Sequence, residues 1–198
     1  IYKAFQASSD ARQKSRLMYC GAAVARAAGR PELIQQMVAN ELKNSDVNLR
    51  VAAMRIARLY GLDLTQYAAA ASDSAAEVRR ELAISLRHSK SPAAAGLWAD
   101  LASQYDGHDR WYLEALGIAA DGQWDAFLAA YLAKASEPWK TPAGRDILWR
   151  SRARKTPELL VKIIKDPETK EAEQARYFRA LDFLGGPEKE AALKSLLE

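Results

Sequence analysis

A seven-residue box ending in arginine recurs along this chain about every thirty residues, and each copy opens an apolar, alanine-rich stretch of helical period. The clearest copies are Asn44-Ser45-Asp46-Val47-Asn48-Leu49-Arg50, which runs into VAAMRIARLYG, and Asp73-Ser74-Ala75-Ala76-Glu77-Val78-Arg79, which runs into RELAISLRH. Weaker copies end at Arg16, Arg110, Arg145 and Arg176, so the arginines step by 34, 29, 31, 35 and 31 residues. A period of this length is one supersecondary unit that cannot bury its apolar face alone. Stacking on the next unit completes the core.

The box explains its own helix. Asp73 and Ser74 offer oxygens to the free N–H groups of a first turn, and Val78, Leu82 and Leu86 follow at four-residue spacing on one stripe. Each interval between boxes has room for a second helix. Pro31, Pro92, Pro157 and Pro187 stand where a first-turn proline is favoured, since its missing N–H has no helical partner there. The expected helices, alternating box-led and interval types, run over about 10–28, 31–43, 46–60, 63–71, 74–88, 92–105, 109–120, 123–134, 142–153, 157–165, 170–184 and 187–197, with 1–9 the remnant of another. That is an all-α chain of about five helix pairs with a half repeat at each end, read as a single domain over 1–198. The irregular interval lies between Arg110 and Arg145, where Pro138, Trp139 and Pro142 fall in a longer connection.

Composition narrows the function. No run approaches the roughly 20 apolar residues of a membrane span, and the N-terminus has no basic segment followed by an apolar signal core. The chain begins at Ile1 and stops at Glu198 within a leucine-rich helix, so it reads as a piece of a longer polypeptide. A lone Cys20 excludes an internal disulfide and a cysteine-rich metal site, and its apolar surroundings predict burial. With 29 basic and 25 acidic residues the net charge of +4 describes a mixed solvated surface, not a polyanion track, which makes a nucleic-acid partner unlikely on sequence grounds.

The pattern of Asp or Asn, a small residue, then Val/Leu-Arg and an alanine-rich helix resembles the bacterial HEAT repeat of the type likened to phycobilin lyases. The resemblance is closest at 44–60 and 73–88, weaker at 10–28 and 170–184, and faint at 104–120 and 139–153. It implies a right-handed α–α superhelix, a HEAT-like solenoid. It also implies that the box arginines Arg50, Arg79, Arg110, Arg145 and Arg176 form a structural ladder with acids of their own or the next repeat. A narrower likeness covers HDRWYLEALGIAADG (108–122), TPAGRDILWRSR (141–152) and RYFRALDFLGG (176–186). These strings are similar to the HEAT segment of large secreted bacterial proteins that carry a sugar-dehydrogenase-like propeller and a cytochrome c domain. That likeness implies a periplasmic or secreted scaffold docking flanking domains of its own polypeptide or another protein. This chain has no C-x-x-C-H string, so no haem or other cofactor is expected within it.

Candidate chemistry is sparse. His88 and His108 fall in different repeats, no serine sits on a Gly-flanked elbow, and no phosphate-binding glycine motif appears, so no catalytic or metal site is expected. Trp98 and Trp124 fall at apolar spacing and are expected in the core. Trp111 and Tyr112 are adjacent and must point in different directions, while Trp139 lies in the long connection and Trp149 is flanked by arginines. Aromatic and arginine together favour a partner surface. The candidate surface therefore comprises Arg55, Arg58, Arg80, Arg87, Trp111, Tyr112, Trp139, Trp149, Arg150 and Arg152. The rival from another class is an enzyme resembling the HEAT-fold DNA glycosylases, with Asp109 or Glu114 as the acid beside Trp111. A bilin-attachment lyase shares the repeat as a third reading.

Overall fold

The structure is a computed structural model, and it describes residues 1–197. Among the described residues the regular structure is helical throughout, with no strand, and no helix is long and apolar enough to cross a membrane. The chain forms two compact units, Ile1–Ser85 and Leu86 onward.

The first unit contains α1 (Tyr2–Ala7), α2 (Ala11–Ala27), α3 (Pro31–Glu41), α4 (Val47–Leu59), a 3-10 helix over Leu64–Ser72, and α5 (Ala76–Ser85). Box-led helices pack on one another, α2 on α4 and α4 on α5, while α3 lies against both α2 and α4. Leu49, Ala52, Ala53, Ile56 and Ala57 form the buried stripe of α4, at the spacing that puts one face of a helix inward. Met18, Ile34, Val38, Met54 and Leu82 complete a mainly aliphatic core, and the Tyr67 ring is buried as well.

Helices α2 and α4 start and stop by the same devices. Asp10 and Asp46 cap their N-termini, accepting from Arg12 N and Asn48 N at 2.9 and 2.8 Å. At the other end Gly29 and Gly61 take φ of +66° and +63°. The next amides, Arg30 N and Leu62 N, then donate to Ala25 O and Ala57 O at 2.8 and 3.0 Å, closing the orphan carbonyls in the left-handed cap that glycine permits.

The interval helix 64–72 is 3-10, not α. Its repeat is the shortest in the chain, 29 residues from Arg50 to Arg79. A 3-10 helix rises about 2.0 Å per residue against about 1.5 Å for an α-helix.

The second unit contains α6 (Ala94–Ala102), α7 (Arg110–Ala119), α8 (Trp124–Lys134), a short 3-10 turn over Pro138–Lys140, α9 (Pro142–Arg150), α10 (Thr156–Ile164), α11 (Glu171–Leu181) and α12 (Pro187–Ser195). Here interval helices meet interval helices, α6 with α8 and α10 with α12, and box-led α9 lies against α7 and α11. Its core is aromatic. Trp98 is fully buried, with Trp124 edge-on at 5.8 Å, Phe127 at 5.6 Å and Tyr131 edge-on at 6.3 Å. The Trp98 indole donates to Leu116 O at 2.9 Å, which pins α6 to α7. Pro92 lies just before α6 in a turn, whereas Pro31 and Pro187 open their helices and Pro157 occupies the second position of α10.

The long connection is packed rather than open. Pro138 is buried, and Gly144 lies so close beneath it that a Cβ there would collide with the Pro138 carbonyl. The turn rests on α9 and α10.

Candidate partner-binding surface

The box arginines come first, because they decide how much of the positive charge is committed to the fold. Arg50, Arg79 and Arg145 are each the fourth residue of their helix, and from there each reaches back to the carbonyls of the preceding turn. Arg50 Nη1 donates to Asn44 O and Ser45 O at 2.9 and 3.1 Å. Arg79 Nη1 meets Asp73 O and Ser74 O at 2.6 and 3.2 Å, and Arg145 Nε meets Trp139 O at 2.6 Å.

Arg50 and Arg145 continue to a carboxylate in the next repeat. Arg50 holds Asp73 through two parallel bonds of 2.8 and 2.9 Å, and Arg145 Nη2 donates to Asp166 at 2.9 Å. The acids also close their own turns, Asp73 accepting from Ala75 N at 2.8 Å and Asp166 from Glu168 N at 2.9 Å. Partial burial pushes the Asp73 carboxyl up, but the bonds from Arg50 and Ala75 N outweigh it and hold the carboxyl below its usual range.

The other two ladder positions depart from this geometry. Arg176, the sixth residue of α11, pairs backward with Asp146 at 2.6 Å and lies 4.3 Å over the Trp149 ring. Asp146 accepts a second bond from Tyr105 OH at 3.1 Å; burial and then that carboxylate push the phenol pKa up. Arg110 is the first residue of α7, exposed, with no ion-pair partner among the described residues. Here the cap residue Asp109 stands directly before the arginine, so the arginine lies three positions too early to reach the preceding carbonyls.

The ridge candidates divide into committed and open groups. Arg55 and Arg58 on α4 both grip Glu81 of α5, at 2.7 and 2.9 Å, and Glu81 is only 7% exposed. Arg80 is half-buried on α5. Arg87 pairs with Asp121 at 2.8 Å on the surface. Trp139 and Trp149 are half-buried, each under a cation: Lys162 lies 4.7 Å from the first ring and Arg176 over the second.

Trp111 and Tyr112 part as adjacent residues on a helix must. Trp111 is 71% exposed. Tyr112, counted with the exposed candidates on sequence grounds, is 2% exposed and donates from its hydroxyl to Leu101 O at 3.0 Å, with its ring stacked on Tyr105. Its burial removes it from the surface. Cys20 departs from expectation in the opposite direction: it faces solvent on α2, because Met18, Ala22 and Ala25 supply the inward stripe of that helix.

The acids that a glycosylase-like reading would use have other partners. Asp109 caps α7, accepting from Tyr112 N at 3.1 Å, and Glu114 receives Arg150 Nε at 3.2 Å. Sequence reasoning missed Glu81, Ile118 and Phe183. For Glu81 a signal existed, since it lies 26 and 23 residues from its two arginines, about one repeat, as Asp73 lies 23 from Arg50. The first unit also holds an apolar groove of about 600 Å³ between α1, α2 and α3, lined by Phe5, Met18, Val24, Leu33 and Met37.

Comparison of the chain with protein families, curated proteins and solved structures finds no match.

Proposed function

We propose that the chain is a HEAT-like solenoid segment, a right-handed α–α superhelix acting as a non-catalytic scaffold that docks a partner protein or a neighbouring domain of its own polypeptide. The observation that carries this reading is the arginine staple. The same helix position, the same reach to the preceding carbonyls and the same onward acid recur at Arg50 and Arg145. A recurring link between consecutive repeats is what an array needs, because each repeat is stable only against its neighbours.

The surface chemistry supports docking over catalysis. Asp109 and Glu114 already have structural partners, and most of the candidate arginines are paired with a carboxylate or a carbonyl. Exposed Trp111 follows exposed Arg110 on α7, and tryptophan and arginine are residue types that dominate binding energy at interfaces. A periplasmic or secreted setting follows from the sequence likeness of residues 108–122, 141–152 and 176–186 and belongs to the same proposal.

Hydrogen exchange tests the docking role. Amides across 108–152 gain protection when the chain is embedded in its longer polypeptide or bound to its partner. No added protection there in either state overturns the reading.

A further inference from the structure

On α7, Trp111, Glu114 and Ile118 stand at steps of three and four, which places them on one stripe of the helix. Trp111 is 71% exposed and Ile118 39%. Gly117 leaves the neighbouring position without a side chain, and the Arg150 guanidinium from α9 fills that space, where a Cβ would collide with it. Arg150 uses Nε on Glu114 at 3.2 Å, and no acceptor among the described residues meets its amino groups.

Arg152 lies beside it with a different set of contacts. Its Nη1 donates to the carbonyls of Trp149, Arg150 and Ser151 at 3.1, 3.1 and 2.7 Å, closing the C-terminus of α9. One face of the guanidinium lies 5.0 Å from the Phe183 ring, itself 61% exposed. No carboxylate pairs with Arg152 among the described residues, and its Nε and second amino group make no hydrogen bond there. Burial and then the Arg150 charge lower its pKa, as expected where cations outnumber acids. Adjacent to this group, Arg87 pairs with Asp121, which also feels Arg150. Three guanidiniums thus share two carboxylates.

We propose that this face receives an acidic segment of a partner protein: a carboxylate enters beside Arg152 and Arg150, and an adjoining apolar side chain lies on Trp111 and Ile118. The proposal rests on the docking role and names the chemistry of the ligand. One carboxylate brings the cluster to neutrality, and the open edge of a guanidinium matches two carboxylate oxygens with two parallel donors. Nucleic acid fits the site less well. Its affinity grows with the number of phosphates neutralised, whereas Glu114 and Asp121 stand within the arginine row and repel a polyanion.

The test is a titration of the whole 15N-labelled chain, followed by amide and indole resonances. The probes are a soluble peptide of alternating Glu and Leu, the same peptide with Gln for Glu, and oligothymidylate. The expected result is a shift set confined to 111–118, 150–152 and 183, including the Trp111 indole, with the Glu peptide binding about tenfold more tightly than the Gln peptide, the equivalent of one good polar contact. Arg152→Gln removes most of that advantage, with other spectral changes confined to the C-terminus of α9, whose carbonyls Arg152 closes. Arg12→Gln, which changes net charge equally on the exposed face of α2, keeps it. Equal binding of Glu and Gln peptides, equal damage from the two substitutions, or tighter binding of oligothymidylate at the same face overturns the proposal. Unshifted spectra combined with added hydrogen-exchange protection across 108–152 overturn the acidic ligand and leave docking intact. Unshifted spectra without that protection remove both.

Discussion

The two units solve one packing problem with different side chains. The first fills its core with Met18, Ala22, Ile34, Ala53, Ile56 and Leu82, and its helices approach closely over small residues. The second builds around Trp98 with Phe127 and Tyr131, and its large rings carry polar handles that bond across helices: Trp98 to Leu116 O, Tyr112 to Leu101 O and Tyr105 to Asp146. Aliphatic packing is nondirectional, so helix register in the first unit depends on the charged links, Arg50 to Asp73 and the Arg55–Glu81–Arg58 triad. In the second unit the buried rings already set register. The staple recurs there as a single bond from Arg145 to Asp166.

The largest test of this contrast is Trp98→Ala. It should cost about 3–5 kcal/mol in denaturant unfolding, because it opens a cavity among three rings and removes the indole bond to Leu116 O. A loss under about 1 kcal/mol would mean that the aromatic core is not the organiser of the second unit.

Glycine substitutions compare the units next. Gly144→Ala drives a Cβ into the Pro138 backbone and should cost about 3 kcal/mol, at the upper end of overpacking. Gly21→Ala in α2 meets only the Ile1 side chain at 3.6 Å, an ordinary contact, and should be neutral or stabilising by up to about 1 kcal/mol through helix propensity. Equal thermal shifts in the two variants would erase the distinction between a packed connection and a tolerant helix face.

The staples themselves should rank in the same sense. Asp73→Ala removes the acceptor of two Arg50 bonds and of Ala75 N, with a loss of about 2–3 kcal/mol, and Asp166→Ala should lose less because Arg145 gives it one bond. The Asp73 effect depends on pH with a definite sign. Its folded pKa lies below the unfolded value, so the stabilisation is complete above about pH 3.9 and fades as pH falls through the depressed value. The gap between parent and Asp73→Ala should therefore shrink in acid; a gap that stays constant to pH 2 would assign the loss to packing instead.

The smallest effect belongs to Trp111→Ala. At an exposed site it should change stability by no more than about 0.5 kcal/mol, while lowering the affinity of the Glu-Leu peptide at least about fivefold, as expected of an aromatic anchor. Its neighbour Tyr112→Phe, which removes the buried hydroxyl bond to Leu101 O, should show the reverse, a measurable stability loss and unchanged binding.

Helix identity was legible in the chain because its causes are local. Box acids such as Asp46 cap the turn that follows them, glycines such as Gly61 end the helix that precedes them, and apolar residues at three- and four-residue steps mark the inward face. Each of these signals acts within a few residues, so the alternation of box-led and interval helices could be read without knowing what packs against what. The 3-10 winding of the interval at 64–72 was not legible in the local pattern.

The candidate surface was legible only as a composition of arginine and aromatic residues. Whether an arginine is open or committed depends on an acid roughly one repeat away, as with Arg55 and Arg58 on Glu81, and of Trp111 and Tyr112 it is Tyr112 that turns inward, its hydroxyl on Leu101 O. Arg110 carries the same letter in the box as Arg145 but starts its helix instead of standing one turn inside it, and three residues of register separate a staple from a free surface cation. By itself the sequence determined where the helices are, since capping and periodicity are properties of neighbouring residues. Only the tertiary structure decided which charges remain to meet a partner, because pairing distances are properties of residues that the fold alone brings together.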